Sequence, residues 1–263
     1  MRGFKTIKKQ PTQPQSQPQY EVADVLNKLG SKLEDLGLNS WQLRTLFALK
    51  KCRTSALGGH IDACDECGNI SISYNSCRNR HCPKCQGRNR EDWIQTRETE
   101  LLPVPYFHVV FTLPEVLNKT ALHEPKMLYD ILFESAWETL QTFGKNKNLQ
   151  MGMIAVLHTW GQNLSLHPHL HCIVPGGGVD ENGAWKNIKN DGKFLFSVKA
   201  LSKVFRAKFC EKLKANLKDK FNENQENEYE KIRQSLWEKP WVVYAKKPFG
   251  SPKSVVEYLG RYT

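Results

Sequence analysis

The stretch H158-TWGQNLSLHPHLHCI-V174 places four of the chain's eight histidines within fourteen residues. Side chains alternate faces along a strand, so His169 and His171 point the same way and Leu170 the other. Two imidazoles side by side make half a metal site, although such pairs also occur as ordinary surface or core histidines. His158 closes the preceding apolar run, "MGMIAVLHTW". An antiparallel return across "TWGQNLSLHP" sets it beside the pair as a third ligand, with Gln162 in reserve. His167 joins that face only if the strand already runs through Pro168, and it is left outside the ligand set.

Working outward, "YFHVVFTLP" (106–114) reads as a buried strand, because β-branched and aromatic residues run together and stop at Pro114. Helices fill 115–143 on either side of Pro125. A hairpin turning at Asn182-Gly183, a basic helix near 199–220 and the strand "WVVYAKKP" follow. Ser251 and Pro252 form a helix-start pair for "SPKSVVEYLGRYT". This order predicts an α+β fold, an antiparallel central sheet with helices on one face. Upstream, leucines at helical spacing over 22–36, a helix capped at Asn39/Ser40 and a charged helix near 89–101 frame a cysteine-rich segment. Three regions result: a disordered Pro/Gln-rich lead (1–20), a small helical zinc-binding and DNA-binding module (21–100), and a sheet domain (101–263).

The eight cysteines are clustered, six of them between 52 and 85. With no export signal at the N-terminus, this pattern favours metal over disulfides. Cys64-x2-Cys67 and Cys82-x2-Cys85 are two knuckles at zinc-ribbon spacing, and they are expected to share one structural zinc ion. Cys52, His60, Cys77 and His81 form a possible second site. Arg78, Arg80, Lys84, Arg88 and Arg90 surround these ligands. They are either a solvated helical face or a phosphate-contacting surface.

A formal charge of +11 and a pI near 9.2 point to a polyanionic partner, nucleic acid before a membrane surface. No apolar run approaches the roughly 18 residues of a membrane span, and the expected location is the cytoplasm. No phosphate-binding G-x4-GK[ST] loop occurs. Tyr258 and Tyr262 stand at i and i+4 of the last helix, on one face, where core packing is the plain alternative to chemistry. Trp160, Phe194 and Phe196 are candidate stacking faces for bases, with core packing preferred for the two phenylalanines.

The "HLH" at 169–171, "YLGRY" at 258–262 and "SCRNRHCPKCQ" at 76–86 together resemble the HUH (His-hydrophobe-His) rolling-circle transposases of the insertion sequence ninety-one type, over roughly 40–263. The resemblance implies an HUH endonuclease-like sheet in which His169 and His171 hold a divalent ion, Mg²⁺ or Mn²⁺. A related relaxase pattern adds His158. Tyr258 and Tyr262 become nucleophiles that cut single-stranded DNA at transposon ends and target, through a 5′-phosphotyrosine. Family members continue past the tyrosine helix, so a C-terminally truncated nuclease domain is expected here. Two alternatives stay open: a replication initiator or relaxase with the same chemistry, and a non-catalytic zinc-dependent DNA-binding protein.

Overall fold

The computed structural model describes residues 19–163, 165–188, 195–217, 232–246 and 251–260. The chain divides at Asn89 into two compact units.

In the N-terminal unit, α1 (Val22–Leu29) runs into a 3-10 turn (Gly30–Leu36), and α2 covers Ser40–Lys51. Asn39 caps α2 by accepting from the N–H groups of Trp41 and Gln42, while Gln42 returns a bond to Asn39 N–H. A hairpin follows, β1 (Gly59–Ala63) against β2 (Ile70–Tyr74), and then α3 starts at Pro83 and runs to Thr99 across the division. The helix starts earlier than its charge pattern suggested, because Pro83 is favoured in a first helical turn. The small core contains Leu26, Leu33 and Leu49 together with Cys52 and Cys82.

The second unit is built on a four-stranded antiparallel sheet in the order β4-β5-β3-β8. The strands are β3 (Tyr106–Thr112), β4 (Ile154–Trp160), β5 (Leu166–Pro175) and β8 (Val243–Lys246). Between them lie α4 (Asn118–His123), α5 (Pro125–Lys145), the hairpin β6 (Gly177–Val179) with β7 (Trp185–Asn187), and α6 (Val198–Leu217). Phe107, Val109 and Phe111 of β3 and Leu170, Cys172 and Val174 of β5 point to one face, where α5 and α6 bury them. Phe111 meets Phe205 at 4.9 Å and Phe196 meets Phe143 at 5.1 Å, so Phe196 belongs to the core. Phe194 lies outside the described residues.

The opposite face is split by chemistry. At one end Tyr106, Val156 and Ile173 receive Val255, Val256 and Leu259 of α7 (Pro252–Leu259). At the other end the same face carries the histidines. Among the described residues no helix is long and apolar enough to cross a membrane.

Candidate metal and tyrosine site

The register decides which histidines meet. His158 lies directly opposite His169, and Val156 opposite His171, so one face of β4 and β5 carries all three imidazoles. Their ligand atoms lie within 4.8 Å of one another. His158 and His171 are buried, and His169 is half-buried. Burial, reinforced by the neighbouring imidazoles His169 and His108, drives His158 down to about 4. Burial, with His158, His108 and His169 nearby, drives His171 to about 3. Burial also lowers His169, against the opposing bond to the His167 carbonyl. The three rings are therefore neutral at pH 7 and present lone pairs, the form that ligates a metal.

Two of these rings are oriented from behind. Nδ1 of His169 lies 2.6 Å from the His167 carbonyl and donates to it, leaving Nε2 with a lone pair. Nδ1 of His171 lies 2.7 Å from Nε2 of His108, a β3 residue that the sequence reading passed over. β5 does begin before Pro168, so His167 shares the face and its ring sits 5.3 Å from that of His169. It nevertheless stands outside the group of three.

Tyr258 approaches from α7. Ser251 caps that helix by accepting from Ser254 N–H, and Pro252 occupies its first turn. The apolar side of the helix packs on the sheet and leaves the Tyr258 ring 41% exposed, 6.3 Å from the ring of His171. Together with Trp160, Gln162, Asn163 and the histidines, Tyr258 lines a cavity of about 700 Å³. Trp160 is 45% exposed and lies parallel to His158 at 6.1 Å. Gly260 ends the helix where a Cβ would sit 2.4 Å from Ile94 Cγ1, so any larger residue would have to displace the Ile94 side chain. Tyr262 lies outside the described residues.

The cysteines gather differently from the expected pairing. Cys52, Cys77, Cys82 and Cys85 come together, with sulfur separations of 3.5 Å (Cys52–Cys82) and 3.6 Å (Cys52–Cys85 and Cys77–Cys85). A zinc tetrahedron with Zn–S near 2.3 Å has edges of about 3.8 Å, which four sulfurs at these spacings fit. Cys52 follows the last turn of α2 and Cys77 follows β2. The backbone bonds Arg53 N–H to Asn75 C=O and Asn75 N–H to Gly58 C=O close the hairpin base and bring them together. Cys82 and Cys85 bracket the start of α3. Burial raises Cys52 and Cys77, pushing Cys77 to about 12, whereas hydrogen bonds from Cys52, Cys77 and Cys82 outweigh burial at Cys85 and draw it down to about 7. The thiolate is thus favoured at Cys85, which gathers with the three other sulfurs in a place suited to a dication.

Cys64 and Cys67 do not join this cluster. The hairpin turn carries them to its exposed tip, and the ribbon pairing of the two knuckles is corrected accordingly. His60 pairs with Asp62 at 3.6 Å, and His81 lies edge-on to Trp41 at 5.7 Å, so neither meets Cys52 or Cys77 in a second site. Of the basic residues, Arg78, Arg80 and Arg88 are exposed, and Lys84 is ion-paired with Glu21. Arg90 falls in the second unit, half-buried.

Comparison with known proteins covers both units. Residues 24–113 match a family model described as "Transposase zinc-binding domain", and residues 152–263 one described as "Putative transposase". The chain is 43% identical over 256 residues to "Putative transposase y4qJ" of Sinorhizobium fredii, covering 92% of this chain and 64% of that one. It is 35% identical over 158 residues to the "Transposase for insertion sequence element IS801" of Pseudomonas savastanoi pv. phaseolicola, covering 59% and 38%. The chain thus spans less than two thirds of either relative. Among solved structures, the conjugative relaxase TrwC in complex with oriT DNA aligns at 12% identity and a TM-score of 0.33, covering 59% of this chain and 64% of that one.

Proposed function

The chain belongs to the IS91-type transposases, with the zinc-binding domain of that family at its N-terminal end, and from this membership we propose that it cuts and rejoins single-stranded DNA through attack by Tyr258. The observation that carries the reading is the convergence of three imidazoles, from His158, His169 and His171, on a cavity that Tyr258 also lines.

His158, His169 and His171 would hold a divalent ion, Mg²⁺ or Mn²⁺, with Gln162 on the same cavity wall. Such an ion would neutralise charge on a non-bridging phosphate oxygen. The protein's own contribution is placement. Packing of α7 on the sheet holds the Tyr258 ring at the cavity, and hydrogen bonds to His167 and His108 orient the rings of His169 and His171 in advance of substrate. A bond forms from the tyrosine oxygen to phosphorus, the bond to the 3′ oxygen breaks, and the hydroxyl proton passes to solvent at this half-exposed position. One phosphodiester replaces another, so the released 3′-OH can later reverse the reaction and join a new strand. Trp160 offers a base-stacking face beside the histidines. The exposed Arg78, Arg80 and Arg88 would contact backbone phosphates at transposon ends.

The test is incubation of the full chain with end-labelled single-stranded DNA and Mn²⁺. A protein–DNA adduct that survives denaturation, absent with chelator and reduced on duplex DNA, is expected. DNA binding without any adduct would instead make the chain a non-catalytic DNA-binding protein.

A further inference from the structure

The β1–β2 hairpin has two chemically different faces, and among the described residues the apolar one is exposed. Residues opposite one another in an antiparallel pair share a face, so Ile61 stands with Ile72, Ala63 with Ile70, and Gly59 with Tyr74. Ile61, Ile70 and Ile72 are 70, 67 and 62% exposed. The other face carries His60, Asp62, Ser71 and Ser73, where the Ser73 hydroxyl donates to Asp62. A two-stranded hairpin is marginal alone in water, and three clustered, solvated isoleucines mark a surface that binds something.

The tip says what that is. There Cys64 N–H donates to Asn69 C=O, Gly68 N–H donates to Cys64 C=O, and Gly68 takes a left-handed φ of 69°. This turn leaves both Cys64 and Cys67 free and exposed, three residues apart. This is a knuckle built to offer two thiolates to a soft cation. Among the described residues no third His, Cys, Asp or Glu ligand atom gathers with the pair. The site is half complete.

We propose that the hairpin joins two copies of this chain around a zinc ion on their two-fold axis, held by Cys64 and Cys67 of each copy. A two-fold relation repeats the same knuckle and so completes four thiolates, the tetrahedral set of a structural site, with release of the thiol protons. An axis running along the hairpins sets the isoleucine faces against each other while the tips meet. A foreign partner would have to supply its own pair of soft ligands; a second copy supplies them by symmetry.

The experiment measures mass by light scattering and zinc by elemental analysis on the full chain. The zinc-loaded protein is expected as a dimer with about three zinc ions, one in each Cys52-Cys77-Cys82-Cys85 cluster and one shared. Cys64→Ser/Cys67→Ser is expected to be monomeric with one zinc per chain and an unchanged circular dichroism spectrum. Ile72→Asp should raise the dimer dissociation constant at least tenfold without loss of the cluster zinc. A wild-type monomer at tens of micromolar with zinc present would overturn the proposal. So would a dimer unaffected by Cys64→Ser/Cys67→Ser, or two zinc ions in a monomeric chain.

Discussion

Nε2 of His108 lies 2.7 Å from Nδ1 of His171, with the two rings nearly parallel and their centroids 4.9 Å apart. One proton is shared between these nitrogens. If His108 donates it, a neutral His171 carries its own proton on Nε2 and that nitrogen cannot ligate. If His171 donates, its Nε2 keeps a lone pair. Burial holds His108 below the usual histidine range, which keeps it neutral and able to accept. His108 is therefore the positioning residue for His171. His108→Ala is expected to weaken Mn²⁺ binding roughly 10–100-fold, with His108→Gln partly restoring it. Titration calorimetry reads the difference; equal affinities in wild type and His108→Ala would remove the role.

The buried imidazoles also set a pH dependence. In the unfolded chain His158 and His171 protonate as pH falls through about 6.5, whereas the folded pair stays neutral down to about 4 and about 3. The unfolded state thus binds more protons in that window. The stability of the metal-free protein is complete above pH 6.5 and drops on the order of a few kcal/mol toward pH 4. Denaturant melts of the chelated protein at pH 7.5, 6 and 5 check this against His158→Gln/His171→Gln, which should show a shallower decline. Parallel curves would contradict the assignment.

The corrected cysteine set separates variants cleanly. Cys52→Ser or Cys77→Ser is expected to lose zinc and unfold the N-terminal unit, because the cysteines are part of its small core. Cys64→Ser should leave that core folded. Limited proteolysis of each variant distinguishes them, and the reverse order of sensitivity would restore the ribbon pairing.

At Gly260 an added methyl would meet Ile94 at 2.4 Å and 2.6 Å. Gly260→Ala should cost roughly 1–3 kcal/mol through overpacking and tilt the helix that carries Tyr258. Ile94→Ala in the same chain is expected to recover part of the loss. Thermal melts of the two single variants and the double variant test the coupling.

Much of the second unit is legible in sequence because its signals are local. "YFHVVFT" and "MIAVLHTW" carry β-branched and aromatic runs, Pro125 separates two helices, and the parity of His169 and His171 needs only the strand period. What sequence hides is register. His108 looks like one polar residue in a buried strand until the β3–β5 pairing turns it toward His171. The cysteines mislead for the same reason. Knuckle spacing is local, whereas the meeting of Cys52 with Cys77 depends on how the hairpin base closes. Helical spacing over 22–36 predicts one helix, but Gly30, with φ at 53°, ends α1 after Leu29.

The most direct measurement maps the DNA-linked tyrosine. Wild type, Tyr258→Phe and Tyr262→Phe are incubated with one labelled single-stranded oligonucleotide and Mn²⁺, and the adduct is digested and sequenced by mass spectrometry. Tyr258 lies within a capped helix whose apolar side is fixed on the sheet beside His171, so the phosphotyrosine is expected on Tyr258. The adduct should vanish in Tyr258→Phe and persist in Tyr262→Phe. Normal adduct in Tyr258→Phe, with none in Tyr262→Phe, would contradict the account.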